Sequence, residues 1–231
     1  MNGAPITFAI LAGGAATRLG GRDKGLELLG DRPLIGWVLD ALQAMDVEGV
    51  GSRPPDVDAA DPLDRSRPGP RAQPTAPTTC VSAPVLIVAN RHLDDYGRYA
   101  QTVPDGAQGF HGPLAGIATA LEMCTTPWLV TVPVDCPEPP HDLALRLWQA
   151  TLENDASAIV AHDGERRQPL FAIYRRELAA SAAAAVEAEQ GVSHWQSSIG
   201  AHELDFTDHW RQFENLNTPE EFAAYAVRNE P

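Results

Sequence analysis

Positive charge is scarce in this sequence. Lys and Arg number 17 against 31 Asp and Glu, a formal net charge of −14. Binding to nucleic acid relies on clustered cations that release phosphate counterions, so that class is excluded. An anionic membrane surface is disfavoured on the same ground. Cysteine is sparse too: Cys80, Cys124 and Cys136 form no metal-ligand spacing and cannot all pair. That usage fits a reducing compartment. No apolar run approaches the length needed to cross a bilayer. Residues 1–5 lack the basic segment that opens a secretion signal, and a cytoplasmic protein is expected. His111, His141, His162, His194, His202 and His209 are scattered with no i, i+4 pair, so no zinc cluster is expected. No nucleophile elbow or catalytic triad is visible either.

What the chain does have is a glycine-rich loop behind an apolar strand. Ile6 to Leu11 has strand character and runs into Ala12-Gly-Gly-Ala-Ala-Thr-Arg-Leu-Gly-Gly-Arg-Asp-Lys24-Gly-Leu26. Glycines let the backbone approach a bulky anion and expose N–H groups to phosphate oxygens. Arg18, Arg22 and Lys24 supply locally the positive charge that the whole chain lacks, Arg as a planar fork and Lys as a point charge. The spacing excludes two common phosphate loops. Leu19 follows Gly14-Ala-Ala-Thr-Arg18, so no G-x-x-x-x-G-K-[ST] is present, and no G-x-G-x-x-G can be read. Alone, such a loop is equally a strand-to-loop turn with solvated charges.

The rest of the chain alternates strand and helix patterns. Leu34, Val38, Leu42 and Met45 share one face of a helix begun near Pro33. Pro84 to Ala89 and Trp128 to Val132 are continuous apolar runs, as expected of strands covered on both faces. A helix over Gly112–Met123 lies between them. Further on come a helix over 141–154, strands over 157–161 and 170–174, and an alanine-rich helix over 178–189. Thr218-Pro-Glu-Glu221 is a capping box for a last helix towards Val227. The fold class is therefore α/β, with a mostly parallel sheet covered on both sides. Ligands in such sheets sit at the carboxyl ends of the strands. The opening loop, Asn90 and Asp135 all fall there.

A length of 231 residues suits a single domain over 1–231. One segment, 49–84, departs from the pattern: it is dense in Pro, Asp, Arg, Ser and Thr and has hardly any large apolar residue. It cannot bury enough surface to offset the entropy of ordering, and is read as a flexible, disordered insertion. A lid or partner-docking segment is the functional alternative.

Several polar residues have two readings each. Asp135, in Pro133-Val-Asp-Cys-Pro137, is either a cap before Pro139 or a carboxylate that reaches Mg²⁺ on a triphosphate, since Mg²⁺ takes one or two carboxylates plus phosphate and water. Asp105, in Pro-Asp-Gly, is either a turn residue or a bidentate acceptor. Gly112 gives a tight helix entry or a close backbone approach. Asn215 and Asn217, two apart, can share one side of an extended segment. Arg166 and Arg167 sit in a solvated hairpin turn or meet an anion.

L-A-G-G-x-x-x-R-x-G-G-x-D-K-G-L, fully matched by Leu11, Ala12, Gly13, Gly14, Arg18, Gly20, Gly21, Asp23, Lys24, Gly25 and Leu26, resembles the nucleotide-binding signature of the molybdenum cofactor guanylyltransferases. Gly112-Pro-Leu-Ala-Gly116, His162-Asp-Gly-Glu-Arg166 with Pro169, and Asn215-Leu-Asn-Thr-Pro-Glu-Glu221 extend the resemblance. It implies a three-layer, Rossmann-like nucleotidyltransferase fold that joins GTP and Mo-molybdopterin with release of pyrophosphate. On that resemblance, Leu11, Ala12, Gly13, Gly14, Arg18 and Lys24 hold the triphosphate. Asp135 positions Mg²⁺, while Asp105 with Gly112 reads guanine, whose N1–H and amino group offer two donors. Asn215, Asn217 and Arg166 lie towards the pterin. Molybdoenzymes or their maturation chaperones would be the onward partners. A cytidylyltransferase or sugar-phosphate nucleotidyltransferase of the same fold is the nearest alternative, and a non-catalytic cofactor-delivery protein another. Two departures stand out. Val88 occupies a position where some relatives carry a nucleotide-contacting asparagine, and 191–195 lacks an arginine that relatives often have.

Overall fold

The computed structural model describes residues 6–13, 23–45, 50, 83–106 and 112–228. Strand β1 (Ile6–Leu11) is buried along its whole length. It lies between two parallel neighbours, β4 (Val85–Val88) and β6 (Trp128–Pro133). Both faces of a central parallel strand are covered, which is why its sequence is continuously apolar. Between β1 and β4 come a short hairpin, β2 (Leu28–Leu29) with β3 (Arg32–Pro33), and helix α1 (Leu34–Ala44). After β4, the short α2 (Leu93–Tyr96) leads to β5 (Gln101–Val103), and α3 (Pro113–Met123) leads to β6.

The second half runs through α4 (Leu143–Asn154), β7 (Ala158–His162), β8 (Arg167–Arg175), α5 (Ala179–Glu187), α6 (Val192–Ser198), β9 (His202–Asp205) and α7 (Pro219–Arg228). The seven-stranded sheet has the order β5-β4-β1-β6-β8-β7-β9. Only β8 runs against its neighbours; the β1–β4, β1–β6, β4–β5 and β7–β9 pairings are parallel. A four-residue turn cannot make a parallel crossover, so β7 returns on itself as a hairpin into β8.

Alternation along β1 builds the two outer layers. Ile6, Phe8 and Ile10 enter one core with α1 (Ile35, Val38, Leu42) and α4 (Leu143, Leu147, Trp148). Ala9 and Leu11 enter the other with α3 (Leu114, Ile117, Leu121), α5 (Ala182, Ala185) and Trp195 of α6. The expected three-layer α/β fold is the one observed. A third, small cluster of Leu29, Leu34, Leu216 and Tyr225 seats α7 on the β2–β3 hairpin. The capping box forms in both directions: Glu221 N donates to Thr218 Oγ1 at 3.2 Å and Thr218 N to Glu221 Oε2 at 3.0 Å.

The chain leaves β1 towards β4 on one side and later adds β6 on the other. The sheet order thus reverses at β1, and in folds of this kind the crevice at the carboxyl ends of the strands at such a reversal is where ligands bind. Backbone hydrogen bonds carry the sheet into it, from Ala12 N to Val88 O (2.8 Å) and from Val134 N to Leu11 O (3.1 Å). Of the 49–84 segment, only Val50, Ala83 and Pro84 are among the described residues; Val50 and Ala83 are buried in the larger core.

Candidate active site

Two polar groups face the crevice. The first centres on Lys24, in a short 3₁₀ turn (Lys24–Leu26). Its Nζ donates to Asp135 Oδ2 at 2.9 Å and to Asn217 Oδ1 at 2.7 Å. Lys24, Asp135 and Asn217 thus come from the segment between β1 and β2, the loop after β6 and the approach to α7. Leu216 N donates to Asp135 O at 2.8 Å, which pins the approach to α7 against the loop after β6. Asn217 Nδ2 also donates to Asn215 O at 3.1 Å. Asp135 Oδ1 and Asn215 Oδ1 are buried with no hydrogen-bond partner in the described structure. A buried carboxylate oxygen that accepts nothing is poised for a cation or a donor that a ligand brings.

The turn that presents Lys24 is held from behind. Asp23 accepts from Gly25 N at 3.2 Å and from the hydroxyl of Tyr96 in α2. Burial first, and then the Asp23 hydrogen bond, push the Tyr96 phenol well above its ordinary range, so it stays a donor. Gly25 is required by close packing: a Cβ there would overlap the Tyr96 hydroxyl and lie 2.8 Å from Val134 Cγ2. The sequence pattern Asp23-Lys24-Gly25 therefore reads as cap, cation and contact. Tyr96 carried no such signal in the sequence, because its partner is 73 positions away.

The second group sits beyond β4 and β5. Asn90 Nδ2 donates to Asp105 Oδ2 at 2.6 Å, and Asp105 N returns a hydrogen bond to Asn90 Oδ1 at 3.0 Å. Gly13 lies beside this pair: its α-carbon substituent would be 3.6 Å from both Asn90 Nδ2 and Asp105 Oδ2. Gly106 N donates to Thr119 Oγ1 at 3.1 Å, tying the turn to α3. One oxygen of Asp105 is engaged by Asn90, and the carboxylate keeps free lone pairs for a further donor. Gly112 precedes Pro113 at the start of α3 with φ 71°, a left-handed backbone value that favours glycine. Leu11, Ala12 and Gly13 end β1 between the ends of β4 and β6, whereas Gly14 and Arg18 lie outside the described residues.

Arg166 stands apart. It is in the β7–β8 turn, at the same edge of the sheet, with its side chain largely exposed and Asp163 Oδ2 3.8 Å from Nε. Asp163 organises that turn by accepting from Glu165 N (2.9 Å), Arg166 N (2.8 Å) and Gln168 Nε2 (2.5 Å). Arg167 is committed elsewhere, its Nε donating to Glu203 Oε1 on β9 at 2.9 Å. Cys136, next to Asp135, is no nucleophile. Its Sγ donates to Gln212 O at 3.0 Å, and burial pushes the thiol far up. His141 and His209, far apart in sequence, are brought together with Asp142, their ligand atoms all within 4.8 Å of one another.

With this geometry in view, residues 8–203 match the model of the MobA-like NTP transferase domain. The chain belongs to that family. As a family member it is a nucleotidyltransferase. A molybdenum cofactor guanylyltransferase of Vibrio vulnificus is 32% identical over 220 residues, covering 95% of this chain and 94% of that one. The molybdopterin-guanine dinucleotide biosynthesis protein A of Archaeoglobus fulgidus superposes with a TM-score of 0.66 at 18% identity, over 96% of this chain and 97% of that one. The 2-C-methyl-D-erythritol 4-phosphate cytidylyltransferase of Thermus thermophilus superposes at 0.58 with 14% identity, over 95% and 96%. The MobA-like fold is thus shared with a protein named for a different nucleotide. No helix among the described residues is long and apolar enough to cross a membrane.

Proposed function

We propose that this nucleotidyltransferase moves GMP from GTP to the terminal phosphate of Mo-molybdopterin, releasing pyrophosphate. The observation that carries the reading is the Lys24–Asp135–Asn217 cluster at the end of β6, with the Asn90–Asp105 pair beside Gly13 at the ends of β4 and β5, on the other side of β1 in the sheet. One side is built for charge and the other for a donor-rich base. The pterin phosphate oxygen attacks the α-phosphorus of GTP, and the bond from that phosphorus to the bridging oxygen breaks. The electron pair leaves with pyrophosphate. The nucleophile is already ionised at neutral pH, so alignment and charge neutralisation matter more than a general base.

The roles follow from the contacts. Lys24 neutralises the triphosphate and the departing pyrophosphate, a task it shares with Arg18. Asp135 and Asn217 hold the ammonium in place until the nucleotide arrives. The backbone of Leu11, Ala12, Gly13 and Gly14 approaches the phosphates. Asp105, oriented by Asn90, accepts from N1–H and the amino group of guanine, and Gly112 keeps the adjoining helix entry open. Asn215, Asn217 and Arg166 lie towards the acceptor. The buried, unpartnered Asp135 Oδ1 fits a Mg²⁺, which when bound supplies Lewis-acid polarisation of the phosphoryl group.

The test is pyrophosphate release from GTP, CTP and ATP with Mg²⁺, in the presence and absence of Mo-molybdopterin. GTP-specific, acceptor-dependent release is expected. Preference for CTP would instead make this a cytidylyltransferase. Tight GTP binding with no turnover on any acceptor would make it a delivery protein for a molybdoenzyme or its chaperone.

A further inference from the structure

Away from the crevice, the loop before α4 meets the 3₁₀ segment Thr207–Phe213. His141 and Asp142 come from the first and His209 from the second. The His141 and His209 rings stack edge to face with centroids 5.5 Å apart. His209 Nδ1 is bonded to Gln212 Oε1. A carbonyl oxygen only accepts, so Nδ1 is the donor in this contact, which leaves Nε2 as the ring atom available to a metal or a proton. That atom faces two carboxylate oxygens, Asp142 Oδ1 and Asp208 Oδ2, each 3.4 Å away.

A ring nitrogen set against two carboxylate oxygens needs positive charge there, either a proton on Nε2 or a cation between the three atoms. At 3.4 Å the separation is too long for a good N–H···O hydrogen bond, which spans roughly 2.7–3.2 Å. It equals the edge of a tetrahedral site, since metal–nitrogen and metal–oxygen bonds near 2.1 Å place two ligands about 3.4 Å apart; with His141 included, the ligand atoms lie within 4.8 Å of one another. Asp142 Oδ1 is also buried without a hydrogen-bond partner. Arg146 lies on the outer side, donating from Nη1 to Asp208 Oδ2 at 2.9 Å and 3.7 Å from Asp142 Oδ2. The outer oxygen of Asp142 thus has Arg146 beside it, while the inner one faces the His209 ring.

We infer that His141, Asp142 and His209 form a binding site for a borderline-soft divalent cation, best matched by Zn²⁺, with Asp208 or water as fourth ligand. Two imidazoles and a carboxylate are a zinc donor set and a poor one for Mg²⁺, which prefers oxygen. The Gln212 contact that fixes the His209 tautomer is the usual outer support of such a ligand. The ion would clamp the loop after Asp135 to the segment that precedes Asn215 and Asn217. It is separate from the Mg²⁺ position proposed at Asp135.

The untagged full chain is titrated with Co²⁺ and with Zn²⁺, following the visible d–d bands of Co²⁺ and the melting temperature. The expected result is a tetrahedral Co²⁺ spectrum, displaced by Zn²⁺, and a higher melting temperature with either ion. His209→Ala and His141→Ala should each weaken binding by tenfold or more, while Asp135→Asn retains it. Far-UV circular dichroism of the metal-free variants reports folding. His141 is exposed, so His141→Ala decides the matter if His209→Ala fails to fold. No Co²⁺ spectrum in the wild-type chain, or binding unchanged in folded His141→Ala, overturns the site.

Discussion

Lys24 and Asp135, 111 positions apart, form an ion pair of 2.9 Å at the point where the sheet order reverses. Both side chains are only partly exposed, at 25% and 19%. The pair is therefore neither an idle surface bridge nor a sealed core contact. A cation so placed can exchange one anionic partner for another when a triphosphate enters.

If Lys24 neutralises charge that develops on the leaving pyrophosphate, Lys24→Ala loses turnover more than binding. Removing one preorganised donor of this kind costs on the order of 10²–10³-fold in kcat. The measurement is pyrophosphate release at saturating GTP beside equilibrium nucleotide binding. Full activity at saturation would remove Lys24 from the machinery.

Asp135→Asn keeps the shape of the side chain but removes its charge. Partly exposed ion pairs contribute about 0–1 kcal/mol to stability, so the melting temperature should barely move. Activity and its response to added Mg²⁺ should both collapse. A variant that loses activity only in step with unfolding would reassign Asp135 to structure.

The sequence announces the crevice through local chemistry: glycines beside Leu11, a carboxylate after Val132, apolar runs that need cover on two faces. It does not announce what meets across it. Lys24 and Asn217 are 193 positions apart, and nothing local to either names the other. Strand direction was equally silent, because β8 carries the same apolar pattern whether it runs with or against β6; the short turn at 163–166 decides. β5 and β9 escaped notice because they are short edge strands without a fully buried residue and with little apolar signal. The His141–Asp142–His209 group was missed because a search for i, i+4 spacing sees one helix, while these residues join two segments.

Asp105 offers a test of base selection. Asp105→Asn replaces an acceptor with a partial donor facing the guanine donors, and a lost bidentate contact is worth about 1–3 kcal/mol of discrimination. The kcat/KM for GTP should fall roughly 10- to 100-fold, with that for CTP unchanged. Asn90→Ala, which removes both of its hydrogen bonds with Asp105 and leaves that carboxylate in place, should show a smaller loss of the same kind. Equal losses for every nucleotide would deny Asp105 a role in reading the base.

Buried tyrosines set an alkaline limit. Burial holds the phenols of Tyr96 and Tyr174 protonated well above the ordinary value of 10.0. In the unfolded chain they ionise near 10, so above that pH the unfolded state has lost protons that the folded state keeps. Stability must then fall as pH rises past the unfolded value. Urea unfolding between about pH 8 and 11 should show this decline, and Tyr174→Phe should flatten it. A slope untouched by that substitution would place the titrating groups elsewhere.

Gly25 joins folding to function most directly, since the space its missing side chain leaves is filled by Tyr96 and Val134. Gly25→Ala forces the Tyr96 hydroxyl off Asp23 and displaces the turn that presents Lys24. Overpacking of this kind costs about 1–3 kcal/mol. Kinetically the variant should resemble a partial loss of Lys24, with kcat falling more than nucleotide binding. Tyr96→Phe removes the obstructing oxygen along with a hydrogen bond, and in the double variant the two costs should overlap. The double-mutant cycle should then show a coupling energy between 0.5 and roughly 3 kcal/mol, read from urea denaturation of the four proteins. Simple additivity would mean that Gly25 and Tyr96 act independently, and that the Lys24 turn owes its position to something other than their contact.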